Sequence, residues 1–129
     1  MKYNDATNKR PDGERVLNDR SVKIDIAANV KEIINEETWG KNDRNSITVF
    51  KNSVMTIVLM ALQQMAEMQP REAEGTMCMQ VLEGTIEVVM EGNIETIYDG
   101  ELLAINKGNF YSVKALEKTI VLLTVAGVE

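Results

Sequence analysis

Residues 81–93 read Val81-Leu82-Glu83-Gly84-Thr85-Ile86-Glu87-Val88-Val89-Met90-Glu91-Gly92-Asn93. Ile86, Val88 and Met90 recur at every second position, the period of a strand with one face in a core. Gly84 separates this run from an apolar run before it, and Gly92-Asn93 closes it with hairpin-turn chemistry. The rhythm continues in both directions. Strands are predicted over residues 47–50, 54–62, 77–82, 85–90, 94–98, 102–105, 110–113 and 119–125, with Asn52-Ser53, Gly75, Gly84, Gly100 and Gly108 among the breaks between them. About eight short strands with near-regular turns make an antiparallel sandwich or barrel.

Upstream of residue 46 the period is helical. Asp25 is the expected N-cap, and Ile26, Val30, Ile33 and Ile34 repeat at helical spacing through Asn35. Glu32, Glu36 and Glu37 are expected on the solvated side. Trp39-Gly40 ends the segment, and Trp39 is the largest apolar anchor available to fix it to the barrel. Residues 1–21 are polar, carry the turn signal Pro11-Asp12-Gly13 and read as an N-terminal arm. The expected organisation is therefore one domain: an arm over 1–21, a helical segment over 22–40 and a β-barrel over 46–126.

The chain has 129 residues, enough for one hydrophobic core without staples. Twenty acidic against fourteen basic residues give a net charge of −6, which argues against nucleic acid and anionic membrane surfaces as partners. Cys78 is the only cysteine, so no intrachain disulfide forms. The longest apolar run, residues 57–62, is far short of a membrane span, and the polar N-terminus has no signal-peptide core. A cytoplasmic location is the expectation. Histidine is absent. That excludes Ser–His and Cys–His catalysis and removes the usual ligand of iron, manganese and zinc sites.

Two spaced motifs in this chain resemble those of small single-domain cupins of the RmlC-like jelly-roll type. In the first cupin motif, two histidines and a glutamate precede a closing glycine. Gly84 takes the place of that glycine, Met77 that of the glutamate, and Pro70-Arg71-Glu72-Ala73 the region of the histidines. In the second, Gly100 and Gly108 are kept, Asn106 stands for the proline, Tyr111 for the histidine and Ala115 for the asparagine. The resemblance covers residues 47–125. It implies an all-β cupin jelly-roll, a double-stranded β-barrel, with one short N-terminal helix. It also implies a homodimer joined by sheet edges or exchanged N-terminal strands.

All four metal-ligand positions of the motifs are changed. Arg71 repels a cation, and Tyr111 and Met77 are poor ligands for the usual cupin metals, so no metal and no other cofactor is expected. The family glutamate points into the barrel, which implies that Met77 and, two residues on, Met79 do so too. Flexible methionines of this kind fill a core or line an adaptable apolar pocket. With Arg71 and Tyr111 at its mouth, such a pocket suits a small molecule with an apolar body and an anionic head. The expected ligand-binding residues are Arg71, Tyr111, Met77 and Met79, with no catalytic residue assigned.

The functional expectation is a metal-free small-molecule-binding protein. The alternatives are a metal-independent isomerase-like enzyme, with Tyr111 as acid and Glu67, Glu72 or Glu74 as base, and a packed scaffold for interaction alone. A soft-metal site built from Met65, Met68, Met77, Met79 and Cys78 is a further idea. Strand alternation opposes it, because Cys78 faces away from Met77 and Met79.

Overall fold

Gly84 lies at a corner where the chain leaves one sheet for another. The computed structural model describes residues 16–127. Two helices, α1 (Ile26–Asn35) and α2 (Glu37–Lys41), precede nine strands: β1 (Arg44–Lys51), β2 (Met55–Leu62), β3 (Glu67–Glu72), β4 (Thr76–Glu83), β5 (Thr85–Met90), β6 (Asn93–Tyr98), β7 (Leu102–Ile105), β8 (Phe110–Ala115) and β9 (Thr119–Ala126). Five strands form the larger sheet in the order β1-β2-β9-β4-β7, and four form the smaller in the order β3-β8-β5-β6. All the pairings are antiparallel. The fold is the all-β jelly roll that the motif spacing implied.

Strand alternation builds the main core between the sheets. Val58, Met60 and Leu62 of β2, Met77, Met79 and Val81 of β4, and Val121, Leu123 and Val125 of β9 come from the larger sheet. Ile86 and Val88 of β5, Ile97 of β6, and Tyr111, Val113 and Ala115 of β8 meet them from the smaller. A second core lies on the outer side of the larger sheet, where Ile33 of α1 packs with Ile47, Val49, Leu59, Ala61 and Ile120, and Trp39 packs at its margin. Asp25 caps α1 by accepting a hydrogen bond from the Ala28 N–H at 3.0 Å.

Three details depart from the sequence reading. Glu36 is not solvated: it is 5 % exposed, and the Asn45 side-chain amide donates to it at 2.7 Å and to the Ile33 carbonyl at 2.8 Å. The helical wheel fails there because the chain leaves the helix at Glu36, whose ψ of 150° is extended. The helical segment then continues as α2 through Lys41, and β1 begins at Arg44 instead of the expected position 46.

The third departure is β3, which the sequence reading leaves as a loop. Its six residues, Glu67-Met68-Gln69-Pro70-Arg71-Glu72, show neither apolar alternation nor β-branched side chains. The strand exists because β8 supplies its partner. Pro70 is tolerated because β3 is an edge strand whose pairing shifts register between Met68 and Arg71.

The Gly84 corner has a tight steric requirement. Its φ is +104°, and a Cβ there would stand 2.6 Å from the Lys118 carbonyl oxygen and collide with Thr119 Oγ1. Its N–H donates to Asp99 Oδ1 at 2.7 Å. Thr119, fully buried, accepts from the Thr85 N–H at 3.1 Å. Its own hydroxyl proton is within reach of Glu117 O at 2.8 Å and Thr85 O at 3.2 Å. We expect Gly84→Ala to cost about 3 kcal/mol or more, combining left-handed backbone strain with overlap. Thr119→Val should cost about 1–3 kcal/mol by stranding the Thr85 N–H. Urea denaturation of each variant measures this, and an unchanged Gly84→Ala midpoint would contradict the packing described.

Candidate functional site

The two ends of the sandwich are built differently. At the Gly84 end, four connections pass between the sheets: β2–β3, β4–β5, β6–β7 and β8–β9. Backbone bonds tie them together, including Met65 N–H to Ala115 O at 2.7 Å, Leu116 N–H to Thr85 O at 2.9 Å and Gly100 N–H to Val81 O at 2.8 Å. At the opposite end only β3–β4 and β7–β8 cross. These two lie side by side: the Ala73 N–H donates to Asn109 O at 2.8 Å, and the Gly108 N–H donates to Ala73 O at 2.9 Å. Gly108 takes φ +92° in this turn, which accounts for a glycine at that motif position.

This second end gathers the predicted side chains. Arg71 of β3 stands directly across from Tyr111 of β8. Cross-strand partners share a face, and Tyr111 belongs to the inter-sheet core, so Arg71 lies on the inward side at its rim. From the larger sheet, Met77 pairs with Ile105 on one side and Val125 on the other. Met79 sits two residues deeper, between Leu103 and Leu123. Met77, Met79 and Tyr111 are all members of the same buried cluster.

The three candidate carboxylates separate clearly. Glu72 pairs with Phe110 and, as the neighbour of Arg71 on a strand, points to the opposite face. Glu67 pairs with Lys114 on the outer side, where both line a groove of about 230 Å³ together with Pro70, Glu87 and Ser112. Glu74 alone joins the site. Its Oε1 lies 3.6 Å from Arg71 Nη2, with side-chain exposures of 43 % and 39 %. No sequence signal distinguished it, because its placement depends on the β3 pairing.

Tyr111 is 3 % exposed, and among the described residues its hydroxyl makes no hydrogen bond. Burial pushes its pKa above the ordinary value of 10.0; the Arg71 charge opposes the rise and the Glu74 charge adds to it. A buried hydroxyl in this state is satisfied by water or by a polar atom of a ligand.

The sulfur atoms do not converge. Cys78 alternates to the outer face of the larger sheet, away from Met77 and Met79, and Met65 is largely exposed at the Gly84 end. Among the described residues there is no group of three or more Cys, Asp or Glu side chains positioned to hold a metal ion. No helix among them is long and apolar enough to cross a membrane.

Comparison with known proteins places this geometry in a class. No protein-family model and no curated protein sequence matches the chain. Solved structures do. A conserved protein of unknown function from Streptococcus pyogenes superposes with a TM-score of 0.69 at 18 % identity, covering 88 % of this chain and 94 % of that one. That coverage extends beyond the nine strands into the helical segment. A cupin superfamily protein from Desulfitobacterium hafniense gives 0.65 at 11 % identity over 68 % of this chain and 80 % of its own. An RmlC-like cupin from Desulfovibrio desulfuricans gives 0.59 at 24 % identity over 64 % and 81 %. The chain is a small, single-domain protein with the RmlC-like cupin fold.

The Tyr111 environment predicts a pH effect with a definite sign. A phenol whose folded pKa is raised keeps its proton in the native state while the unfolded chain ionises. Its stabilising contribution is therefore complete below about pH 10 and is lost as pH rises through the folded pKa. Denaturation midpoints from pH 8 upward should show wild type losing stability relative to Tyr111→Phe above about pH 10. Parallel curves for the two proteins would contradict the burial assigned to this hydroxyl.

Proposed function

We propose that the protein binds a small molecule with an anionic head and an apolar body at the end of the barrel opposite Gly84. The observation that carries this reading is the pairing of a buried Tyr111 hydroxyl, which makes no hydrogen bond among the described residues, with a guanidinium on the same inward face. Arg71 at the rim meets the anionic group through charge-assisted hydrogen bonds, exchanging part of its interaction with Glu74 for the ligand. Tyr111 donates to the same group from deeper in the barrel. Met77 forms the adjacent apolar wall and Met79 supports it from below, both adaptable because an unbranched thioether side chain has several low-energy shapes. Binding on this reading needs no metal, in keeping with a chain that has no histidine.

One further observation favours an enzymatic variant of the same site. Glu74 Oε1 lies 3.6 Å from Arg71 Nη2, and Arg71 stands across from Tyr111, so a carboxylate and a phenol share this end of the barrel, the two groups an isomerase-like proton transfer uses. In that case Glu74→Gln abolishes deuterium uptake from heavy water into the bound compound while leaving its affinity intact. Loss of affinity without any exchange chemistry in wild type assigns Glu74 to binding alone.

The binding reading is tested by a thermal-shift panel of small carboxylates and their neutral amides. Carboxylates with apolar bodies should raise the midpoint and the amides should not. Arg71→Ala should weaken the best carboxylate by about 1.5–3 kcal/mol, roughly 10- to 150-fold. Equal responses to acid and amide, or equal affinity in Arg71→Ala, would remove the orienting role of Arg71.

A further inference from the structure

Thr56 stands at the second position of β2 and is only 9 % exposed. Its partner on β9 is Val125, a member of the inter-sheet core, so the Thr56 side chain shares that inward face. In the same register come Met77 on β4 and Ile105 on β7, giving the row Thr56–Val125–Met77–Ile105 across the larger sheet. β2 runs from this end of the sandwich towards the Gly84 end, where it turns into β3. Thr56 therefore lies at the Arg71–Tyr111 end. It also lies on the Arg71 flank: β1, the neighbour of β2, is clasped to β3 where Arg44 Nη2 donates to the Glu67 carbonyl. Among the described residues the Thr56 hydroxyl makes no hydrogen bond. A buried hydroxyl without a partner is unfavourable, and a valine would suit the strand without that cost. Two such hydroxyls, Thr56 and Tyr111, meet the inter-sheet space at one end from opposite sheets.

We propose that Thr56 is a further ligand-binding residue of this end, and that the ligand is a hydroxy acid whose hydroxyl Thr56 recognises. The inference rests on the anion-binding reading of Arg71 and Tyr111 and adds a ligand class to it. Arg71 only donates hydrogen bonds, and the Tyr111 phenol donates from its side, so both suit the oxygens of a carboxylate. The Glu74 carboxylate accepts, but it stands beside Arg71 at the rim. Thr56 adds what the others lack on the inward face, an oxygen with lone pairs that accepts the proton of a ligand hydroxyl. A hydroxyl beside the carboxylate satisfies that oxygen. An unsubstituted acid covers it with a methylene and leaves it without a partner, which is how such a position discriminates between the two.

The test is calorimetric titration of hexanoate, 2-hydroxyhexanoate and 3-hydroxyhexanoate into wild type, Thr56→Val, Thr56→Ser and Arg71→Ala. Wild type should bind one of the hydroxy acids at least about tenfold more tightly than hexanoate, as one net hydrogen bond provides. Thr56→Val should abolish that preference while binding hexanoate as wild type does, and Thr56→Ser should keep it. Arg71→Ala should weaken hexanoate and the hydroxy acid alike. The urea midpoint of ligand-free Thr56→Val should equal or exceed that of wild type; a lower midpoint would show a hydroxyl that holds the fold and would overturn the proposal. A preference that survives in Thr56→Val, or is absent from wild type, overturns the role of Thr56 alone when Arg71→Ala still loses hexanoate. Should no acid bind wild type, or all three bind Arg71→Ala as they bind wild type, the anion-binding reading itself fails and this inference with it.

Discussion

The contact between Gly84 and the start of β9 governs the rest of the architecture. At this point β4 leaves the larger sheet for the smaller, and β9 enters the larger sheet after β8 has left the smaller. A side chain at Gly84 would occupy the space of Thr119, whose hydroxyl meets the Thr85 N–H. The Gly84 N–H in turn holds Asp99 in the β6–β7 connection. Three sheet-to-sheet passages are thus fixed by one glycine and one buried threonine. With this end tied shut, the other end carries fewer crossings and is held chiefly by Ala73 against Gly108 and Asn109. The division between an end with four crossings and an end with two follows from where the tight corner lies.

What could be read from the sequence, and what could not, follows the same physics. Strands with one face in the core advertise themselves by alternation, and β5 and β7 were located to the residue. The helix cap at Asp25 and the inward Ile33 were equally visible, because both depend on local spacing. β3 was invisible because its edge position lets it be polar and contain Pro70; only its partner strand reveals it. Glu36 was misjudged for a related reason. Its burial comes from Asn45, nine residues away on β1, and from a break in the helix that no periodicity announces. The site shared this split. Motif spacing singled out Arg71, Met77 and Tyr111 as candidates, whereas the placement of Glu74 beside Arg71, with Glu67 and Glu72 facing away, needed the register of the unseen strand.

The chemistry available at the Arg71–Tyr111 end is narrow, which makes the functional reading specific. A guanidinium, a carboxylate and a buried phenol stand over an apolar wall, with no imidazole anywhere in the chain. A guanidinium fork and a phenol both donate hydrogen bonds, so together they favour an acceptor-rich, negatively charged group. The Glu74 carboxylate partly neutralises Arg71 at this rim. On the proposed reading, a ligand carboxylate or phosphate takes over that role. The fold alone does not specify such a ligand, since one jelly roll hosts many activities; the case rests on these side chains.

The most direct test of this account is native mass spectrometry of the untagged protein purified without added metal or chelator, run beside Arg71→Ala. The account predicts that wild type retains an organic mass carrying an acidic group, which Arg71→Ala loses while staying folded. A stoichiometric metal in wild type, or the same adduct in both proteins, would contradict it.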